Sequence, residues 1–144
     1  MHEQLRLCNQ LCFRFYSITR LINQAYHPLL EPLGLTYPQY LVMLVLWEQD
    51  NLTVSDICHR LMLDTNTLTP MLQRMEREGF IVRTHGIVDG RQTLVSLTKK
   101  GKHLEEQAKD IPYNIAYKWH GPELSQEDVT HLVAILDTLI KGLK

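Results

Sequence analysis

Apolar positions recur with a helical period along the first part of the chain. Between Gln4 and about Leu33 they fall every three or four residues, at Leu7, Leu11, Phe15, Ile18, Ile22 and Ala25. This spacing lines one side of an α-helix, and Gly34 follows it as a C-terminal glycine typically does. The pattern predicts a first helix that ends just before Gly34.

A buried second helix is predicted next. Thr36 and Gln39 stand at the spacing of a capping box, and Pro38 is tolerated in a first helical turn. The run YLVMLVLWE that follows is apolar on nearly every face. Such a helix is expected at the centre of a core.

Two short helices joined by a tight turn come after it. Thr53 and Asp56 are placed to cap a third helix. Asp64 is placed to cap a fourth, which we expect to run from Thr65 to Glu78 and to be closed by Gly79.

The pattern then changes to a β-hairpin and two further helices. Phe80 to Thr84 and Gln92 to Leu97 are β-rich runs joined by a polar stretch. A fifth helix is expected from Thr98 towards Tyr117, with a disturbance at Pro112, and Ser125 begins a sixth. The sequence thus predicts a single mainly α domain over 1–144, an α+β winged helix-turn-helix of six helices with a two-stranded β wing.

Composition narrows the class of protein. A chain of 144 residues that is 44% hydrophobic can bury one core, no apolar run approaches the about 20 residues of a membrane helix, and the start lacks a signal peptide's layout. We expect a cytoplasmic protein with no membrane partner. Its three cysteines, Cys8, Cys12 and Cys58, make an odd number, which favours free thiols.

Charge and side-chain chemistry favour duplex DNA as the partner. From Arg60 to Lys102 there are eight Lys and Arg against four Asp and Glu, although the whole chain carries a net charge of −1. This excess fits a phosphate-binding surface; the alternative is a chance excess on a solvated surface.

The second helix of a winged helix-turn-helix, here the predicted fourth helix, enters the major groove. Its hydroxyls, amides and arginines suit base edges and phosphates, and they are Thr65, Asn66, Thr67, Thr69, Gln73, Arg74 and Arg77. In the wing, Arg91 would enter a minor groove and Asp89 would orient it.

The two ends of the chain are expected to join two protomers. Their helices are more apolar than a lone winged domain requires, so we expect them to interlock in a homodimer. Residues 1–33 and 104–144, approximately, are then dimerisation helices, and about 36–103 form the winged helix-turn-helix. Such a dimer would bind the two half-sites of a palindromic operator.

Several motifs resemble a known family. LTVSDICHRLMLDTNTLTPMLQRMEREGFIVR, followed by DGRQTLVSLT, looks like the MarR family of transcriptional regulators. QLCFRFY and YHPLLEPLGLTYPQYLVMLVLWE resemble its OhrR-like branch, which senses organic hydroperoxides through a thiol. The resemblance runs from about Gln10 to Gly101 and implies an intertwined dimer of MarR type. It also implies a repressor that releases its operator on oxidation, is not an enzyme and needs no cofactor.

The same resemblance implies roles for three residues. Cys12, in the LCF motif, is the peroxide-reactive thiol, and Tyr26 and Tyr37 match the tyrosines that hydrogen-bond it. A hydroxyl that donates to sulfur favours the thiolate, and the sulfenic acid formed by peroxide must be trapped as a disulfide. Because no cysteine follows Cys58, a low-molecular-weight thiol is the implied partner of oxidised Cys12. A Cys8–Cys12 disulfide would require favourable geometry or local unwinding.

Other functions remain open on the sequence alone. Cys12 can be an incidental small hydrophobe in a repressor that is released by a small aromatic or phenolic ligand. A thiol peroxidase would need a recycling thiol and an organised pocket, of which the sequence bears no signature. The histidines and cysteines lack the spacing of a metal site, so no metal is expected.

Overall fold

The computed structural model describes residues 1–85, 90–119 and 123–144. The chain divides into two units, Met1–Lys109 and Asp110–Lys144. The helices are α1 Leu11–Leu30, α2 Tyr37–Glu48, α3 Val54–Leu61, α4 Thr65–Arg77, α5 Lys99–Ala108, α6 Ile111–Trp119 and α7 Gln126–Leu143. The strands are β1 Leu52–Thr53, β2 Ile81–His85 and β3 Thr93–Leu97. The predicted hairpin tip from Gly86 to Asp89 lies outside the described residues.

The first helix begins later than its apolar pattern predicts. Two 3-10 turns, Glu3–Leu5 and Leu7–Asn9, replace the predicted start at Gln4. Gln10 is extended, and its side-chain amide donates to the carbonyls of Gln4 and Arg6. Because side chains satisfy backbone carbonyls of this segment, the segment does not need the α-helical ladder. The end of the helix agrees with the prediction, since Gly34 is left-handed at φ 74° after a 3-10 turn.

The predicted caps of α2, α3 and α4 are confirmed. Thr36 and Gln39 form a reciprocal capping box, and so do Thr53 and Asp56. Asp64 accepts from the backbone N–H of Thr67 at the start of α4. Each cap satisfies N–H groups that a helix leaves unpaired, so these three helices begin at positions fixed by local sequence.

The core of the first unit lies between α2, the helix pair α3–α4 and the sheet. Its fully buried side chains are Val42, Met43, Ile57, Leu68, Leu72, Met75 and Val95. No single helix of the described ranges has the length and apolarity to span a membrane; Leu11–Leu33 and Tyr37–Glu48 pass that test only together, with a 67° bend between them.

The sheet has one more strand than predicted. β2 and β3 form the expected antiparallel hairpin, with Ile81 opposite Leu97 and His85 opposite Thr93. The short β1 pairs with the other edge of β3, giving the order β1-β3-β2. This third strand anchors the base of the hairpin beside α3, which a pair of strands this short requires for stability.

The fifth predicted helix is interrupted, as expected near Pro112. Helix α5 ends at Ala108 and α6 begins at Ile111, so Pro112 stands in the first turn of α6, where its missing N–H costs nothing. In the second unit, Ser125 and Asp128 form the capping box of α7. Fold class and helix order therefore match the sequence prediction.

One close backbone contact fixes α5 against Phe80, the residue that precedes β2. A Cβ added to Gly101 would lie 2.2 Å from the carbonyl oxygen of Phe80. The carbonyl of Gly101 also accepts a 2.9 Å hydrogen bond from Trp47 Nε1 of α2. Gly101 thus allows α5 to pack closely against both α2 and the start of β2.

We predict that Gly101→Ala lowers the free energy of unfolding by about 1–3 kcal/mol, because the carbonyl of Phe80 must move to admit a methyl group. Gly142→Ala is the matched control: nothing lies within 4 Å of the added Cβ, and alanine gains up to about 1 kcal/mol of helix propensity. Chemical denaturation of both variants measures the difference. Equal stability of the two variants would contradict the close contact.

Candidate DNA-reading surface and sensor site

The exposed face of α4 carries most of the predicted DNA-reading side chains. Thr65, Asn66, Thr67, Gln73, Arg74 and Arg77 are exposed, and Thr69 is half-buried. Leu68, Leu72 and Met75 point the other way and are fully buried, as their helical spacing predicts. The apolar side of α4 anchors it, and the polar side is available to a ligand as large as a duplex.

The turn before α4 holds its amino terminus at the surface. Met62 adopts a left-handed conformation at φ 56°, and Leu63 N–H donates to the carbonyl of Cys58. Asp64 follows as the N-cap, and the backbone N–H of Thr67 lowers the pKa of its carboxyl. The residues that begin α4 therefore stand on a turn whose hydrogen bonds are satisfied.

The wing lies beside the same end of α4. Arg91 and Gln92 from the wing and Thr65 and Thr69 from α4 line a shared cavity of about 300 Å³, together with Arg83. Asp89, the other predicted wing residue, lies outside the described residues. Glu76 of α4 pairs with Arg83 of β2 at 3.1 Å, a contact that no sequence pattern indicated.

Arg74 of α4 borders a cavity that it shares with residues of α1 and α2. The cavity has a volume of about 450 Å³ and is also lined by His27 from α1 and Tyr37 from α2. Arg74 and Arg77 are three residues apart, so they lie about 60° from each other around the helix axis and are neighbours on its exposed side. Arg74 therefore lies between the predicted reading surface and the predicted sensor residues.

Tyr26 and Tyr37 are in contact within one chain. Their ring centroids are 4.7 Å apart, and Tyr40 lies 5.7 Å from Tyr26 and 6.3 Å from Tyr37. Trp47 continues the series at 6.4 Å from Tyr40. We call Tyr26, Tyr37 and Tyr40 the tyrosine cluster; the sequence indicated the first two and missed Tyr40, because helical spacing alone does not reveal contacts between α1 and α2.

Burial raises the pKa of the phenols in the tyrosine cluster. Desolvation, followed by the neighbouring Tyr37 and Tyr40, raises the pKa of Tyr26 to about 12. Burial also raises the pKa of Tyr37 and of Tyr40. Phenols are hydrogen-bond donors at neutral pH, and the raised pKa extends this state of the tyrosine cluster to higher pH.

Cys12 lies far from the tyrosine cluster of its own chain. It is the second residue of α1, and Tyr26 is fourteen residues further along the same helix, which corresponds to about 21 Å at about 1.5 Å per residue. That separation exceeds the reach of either side chain. One chain does not bring together the thiol and the tyrosines that the resemblance pairs.

The surroundings of Cys12 are apolar and exposed. The thiol itself is exposed, and so are its large apolar neighbours on α1, Leu11, Phe13, Phe15, Tyr16 and Ile18. An apolar stretch of this size on a single helix is typical of a protein interface. Cys8 is also exposed, whereas Cys58 is partly buried, with its Sγ 3.9 Å from Thr65 Oγ1.

Sequence comparison decides the family. The model described as "Transcriptional regulator SarA/Rot" matches residues 24–108. The organic hydroperoxide resistance transcriptional regulator of Bacillus subtilis (strain 168) is 45% identical over 98% of this chain and 94% of its own length. The chain belongs to the MarR family of transcriptional regulators, in its OhrR-like branch.

Solved structures agree with this assignment to the MarR family. Reduced AbfR bound to DNA is similar with a TM-score of 0.80 and 38% identity, over 99% of this chain and 96% of that one. Disulfide-formed AbfR is similar with a TM-score of 0.66 and 38% identity, over 96% and 95%; AbfR is from Staphylococcus epidermidis. The winged helix-turn-helix of this chain is thus that of MarR-type regulators.

The raised pKa of Tyr26 predicts an alkaline transition. The folded protein holds this proton more tightly than the unfolded chain, whose phenols ionise near 10.0, so stability that is fully present below pH 10 is lost as the pH rises towards 12. Titration of tyrosinate by ultraviolet absorbance should contain a step near pH 12 that Tyr26→Phe removes. Tyr16→Phe, which alters an exposed ring of the same helix, is the control. A step unchanged in Tyr26→Phe would refute the assignment.

Proposed function

We propose that this MarR-family regulator is a homodimeric repressor that senses organic hydroperoxide through Cys12 and then releases a palindromic operator. The observation that carries the proposal is the exposed thiol of Cys12 at the start of an apolar, uncovered helix. A second copy that covers this helix would bury the thiol beside its own side chains. Oxidation there would act directly on the dimer interface.

The tyrosines that hydrogen-bond Cys12 come from the partner protomer. Within one chain the helix separates Cys12 from Tyr26 by about 21 Å, and Tyr37 lies against Tyr26. In an isologous dimer, the start of one α1 can lie beside the end of the other. The sensor site then contains Cys12 of one protomer and the tyrosine cluster of its partner.

The chemistry of the site follows from these groups. The phenols of Tyr26 and Tyr37, which are protonated at neutral pH, donate to the sulfur and favour the thiolate. The thiolate attacks the terminal peroxide oxygen, the O–O bond breaks, and the alkoxide that leaves takes a proton from water to become an alcohol. Cys12 becomes a sulfenic acid, which condenses with a low-molecular-weight thiol to give a mixed disulfide and water.

Oxidation would be transmitted to DNA through the geometry of the dimer. Two α4 helices must lie about 34–36 Å apart to enter successive major grooves. A mixed disulfide at Cys12 adds bulk at the interface and removes the hydrogen bonds from the tyrosines. The protomers then reorient, and the paired reading surfaces no longer match the operator.

DNA is held by the exposed face of α4 and by the wing. The hydroxyl and amide side chains from Thr65 to Gln73 are assigned to base edges and phosphates, and Arg74 and Arg77 to guanine or phosphate. Arg91 is assigned to a minor groove, with Asp89 as its orienting carboxylate. The relatives support DNA as the partner, since reduced AbfR was solved bound to DNA.

A cavity favours a second candidate function, release by a small aromatic or phenolic ligand. The cavity of about 450 Å³ is lined by Tyr37, His27 and Arg74, and this volume lies in the range of small-molecule sites. A phenolate or carboxylate would find a cation in Arg74. Operator release by phenolic acids that is equal in wild type and Cys12→Ser, without release by hydroperoxide, would favour this function.

The main proposal predicts that Cys12→Ser resists oxidation. The reduced variant should bind a duplex selected from a random-sequence pool as tightly as wild type. Addition of limiting organic hydroperoxide and a small thiol should lower the affinity of wild type for the duplex by at least about tenfold and leave the affinity of the variant unchanged. Cys8→Ser and Cys58→Ser are matched controls that should respond like wild type. Equal release by Cys12→Ser and wild type would refute the sensor assignment.

The DNA-binding proposal predicts a salt-dependent affinity. Arg77→Ala should weaken binding and lower the slope of log affinity against log salt by about 1 if Arg77 contacts a phosphate. Lys141→Ala removes one positive charge from α7 and should leave the slope unchanged. Titrations at several salt concentrations measure both slopes. A slope that Arg77→Ala leaves unaltered would exclude Arg77 from phosphate contact.

A further inference from the structure

Strand β2 carries a charged residue at a position that faces inwards. Along it, Ile81 is buried, Val82 is exposed and Arg83 is again partly buried, as the alternation of a strand requires. Arg83 lies opposite Val95 of β3, which is fully buried. A charge on the covered face of a sheet is costly unless it is paired. The position therefore requires a partner for the guanidinium.

The partner is Glu76 of α4. The backbone N–H of Arg83 donates to Glu76 Oε2 at 2.8 Å, and Arg83 Nε and Nη2 donate to Oε1 at 3.3 and 3.1 Å. The backbone hydrogen bond is the main cause that lowers the pKa of the Glu76 carboxyl, so the contact favours the ionised carboxylate. We call this set of three hydrogen bonds the Glu76–Arg83 clasp.

The clasp joins the two elements that are assigned to DNA. Glu76 lies in the last turn of α4, and Arg83 lies two residues before His85, where β2 ends. Arg83 also lines the cavity of about 300 Å³ between Thr65 and Thr69 of α4 and Arg91 of the wing. The base of the wing is thus tied to α4 by both the backbone and the side chain of one residue.

We propose that Glu76 and Arg83 are positioning residues for DNA binding, which set the distance and angle between α4 and the wing so that both contact one duplex. The inference rests on the proposed function, in which α4 and Arg91 both contact DNA. Two contact elements held in their bound arrangement bind more tightly than two loosely joined ones, because less freedom is lost on binding. Glu76 acts through the wing and does not touch DNA.

The negative charge of Glu76 allows a positioning role to be distinguished from a purely electrostatic effect on DNA affinity. Removing a carboxylate near a polyanion should strengthen its binding. The clasp predicts the opposite, a loss of affinity in Glu76→Gln. Glu78→Gln is the matched control, because it removes the same charge from an exposed position two residues further on; its affinity should be unchanged or slightly higher.

The experiment measures the affinity of the reduced, full-length protein for a duplex selected from a random-sequence pool. Glu76→Ala, which removes all three hydrogen bonds, should bind about tenfold more weakly. Glu76→Gln keeps an oxygen for the Arg83 N–H, and Arg83→Lys keeps the positive charge, so both variants should lose less affinity for the duplex than Glu76→Ala. Thermal unfolding of each variant establishes that it is folded under the binding conditions.

A coupling measurement separates positioning from a general loss of structure. Arg91→Ala should cost about tenfold in the wild-type background, and less than about twofold in the Glu76→Ala background, because the wing is already misplaced there. If Glu76→Ala does not fold, the same coupling is measured in Glu76→Gln and Arg83→Lys.

Each other outcome overturns the inference. Glu76→Gln binding as tightly as Glu78→Gln would show that the clasp does not matter. If Arg91→Ala lowers the affinity for DNA about tenfold in the Glu76 variants as well, the wing is positioned without the clasp. No cost of Arg91→Ala in wild type, with DNA still bound, would remove the wing contact and leave the rest of the proposed function standing. A wild-type protein that selects no duplex would refute the proposed function itself.

Discussion

Helix α1 sets the distance on which the account of the sensor depends. Its continuous run from Leu11 to Leu30 holds Cys12 near one end and Tyr26 near the other, and a helix cannot shorten that separation without breaking its hydrogen bonds. The thiol end is apolar and uncovered, whereas Tyr26 at the other end packs against α2 through Tyr37 and Tyr40. The proposed sensor site is therefore one that only a second copy of the chain would complete.

The reading surface depends on constraints of a more local kind. Caps at Thr53 and Asp64 fix where α3 and α4 begin, and Gly101 lets α5 approach the carbonyl of Phe80. The Glu76–Arg83 clasp adds a polar tie at the far end of α4. These contacts leave the polar face of α4 uncovered, so affinity and specificity can be carried by side chains that have no part in the core.

How well the sequence predicted each feature depended on the range of the interactions that form it. The starts of α2, α3 and α4 were predicted correctly, because a cap involves residues only three apart. The predicted start of α1 was wrong, because the side chains of Gln10 and Arg14 donate to backbone carbonyls of the preceding segment, which therefore does not need to be α-helical. β1 was missed because its two residues are recognisable only by their pairing with β3.

The candidate sites divide in the same way. Helical periodicity separated the polar face of α4 from its buried face, but it could not reveal that Tyr40 joins Tyr26 and Tyr37 or that Arg83 pairs with Glu76. Those contacts bring together residues from different elements. In the sequence, the role proposed for Cys12 was indicated by resemblance alone, because the position of a cysteine along a chain says nothing of its reactivity.

Mixed dimers test most directly whether the sensor site is shared between two protomers. In one mixed dimer, Cys12→Ser and Tyr26→Phe are in different protomers; in the other, both substitutions are in the same protomer. A site completed by the partner predicts that the remaining Cys12 of the first dimer reacts with limiting hydroperoxide as in wild type, since it faces an intact Tyr26, and that the second dimer reacts more slowly. Faster reaction of the second dimer than of the first would contradict the account.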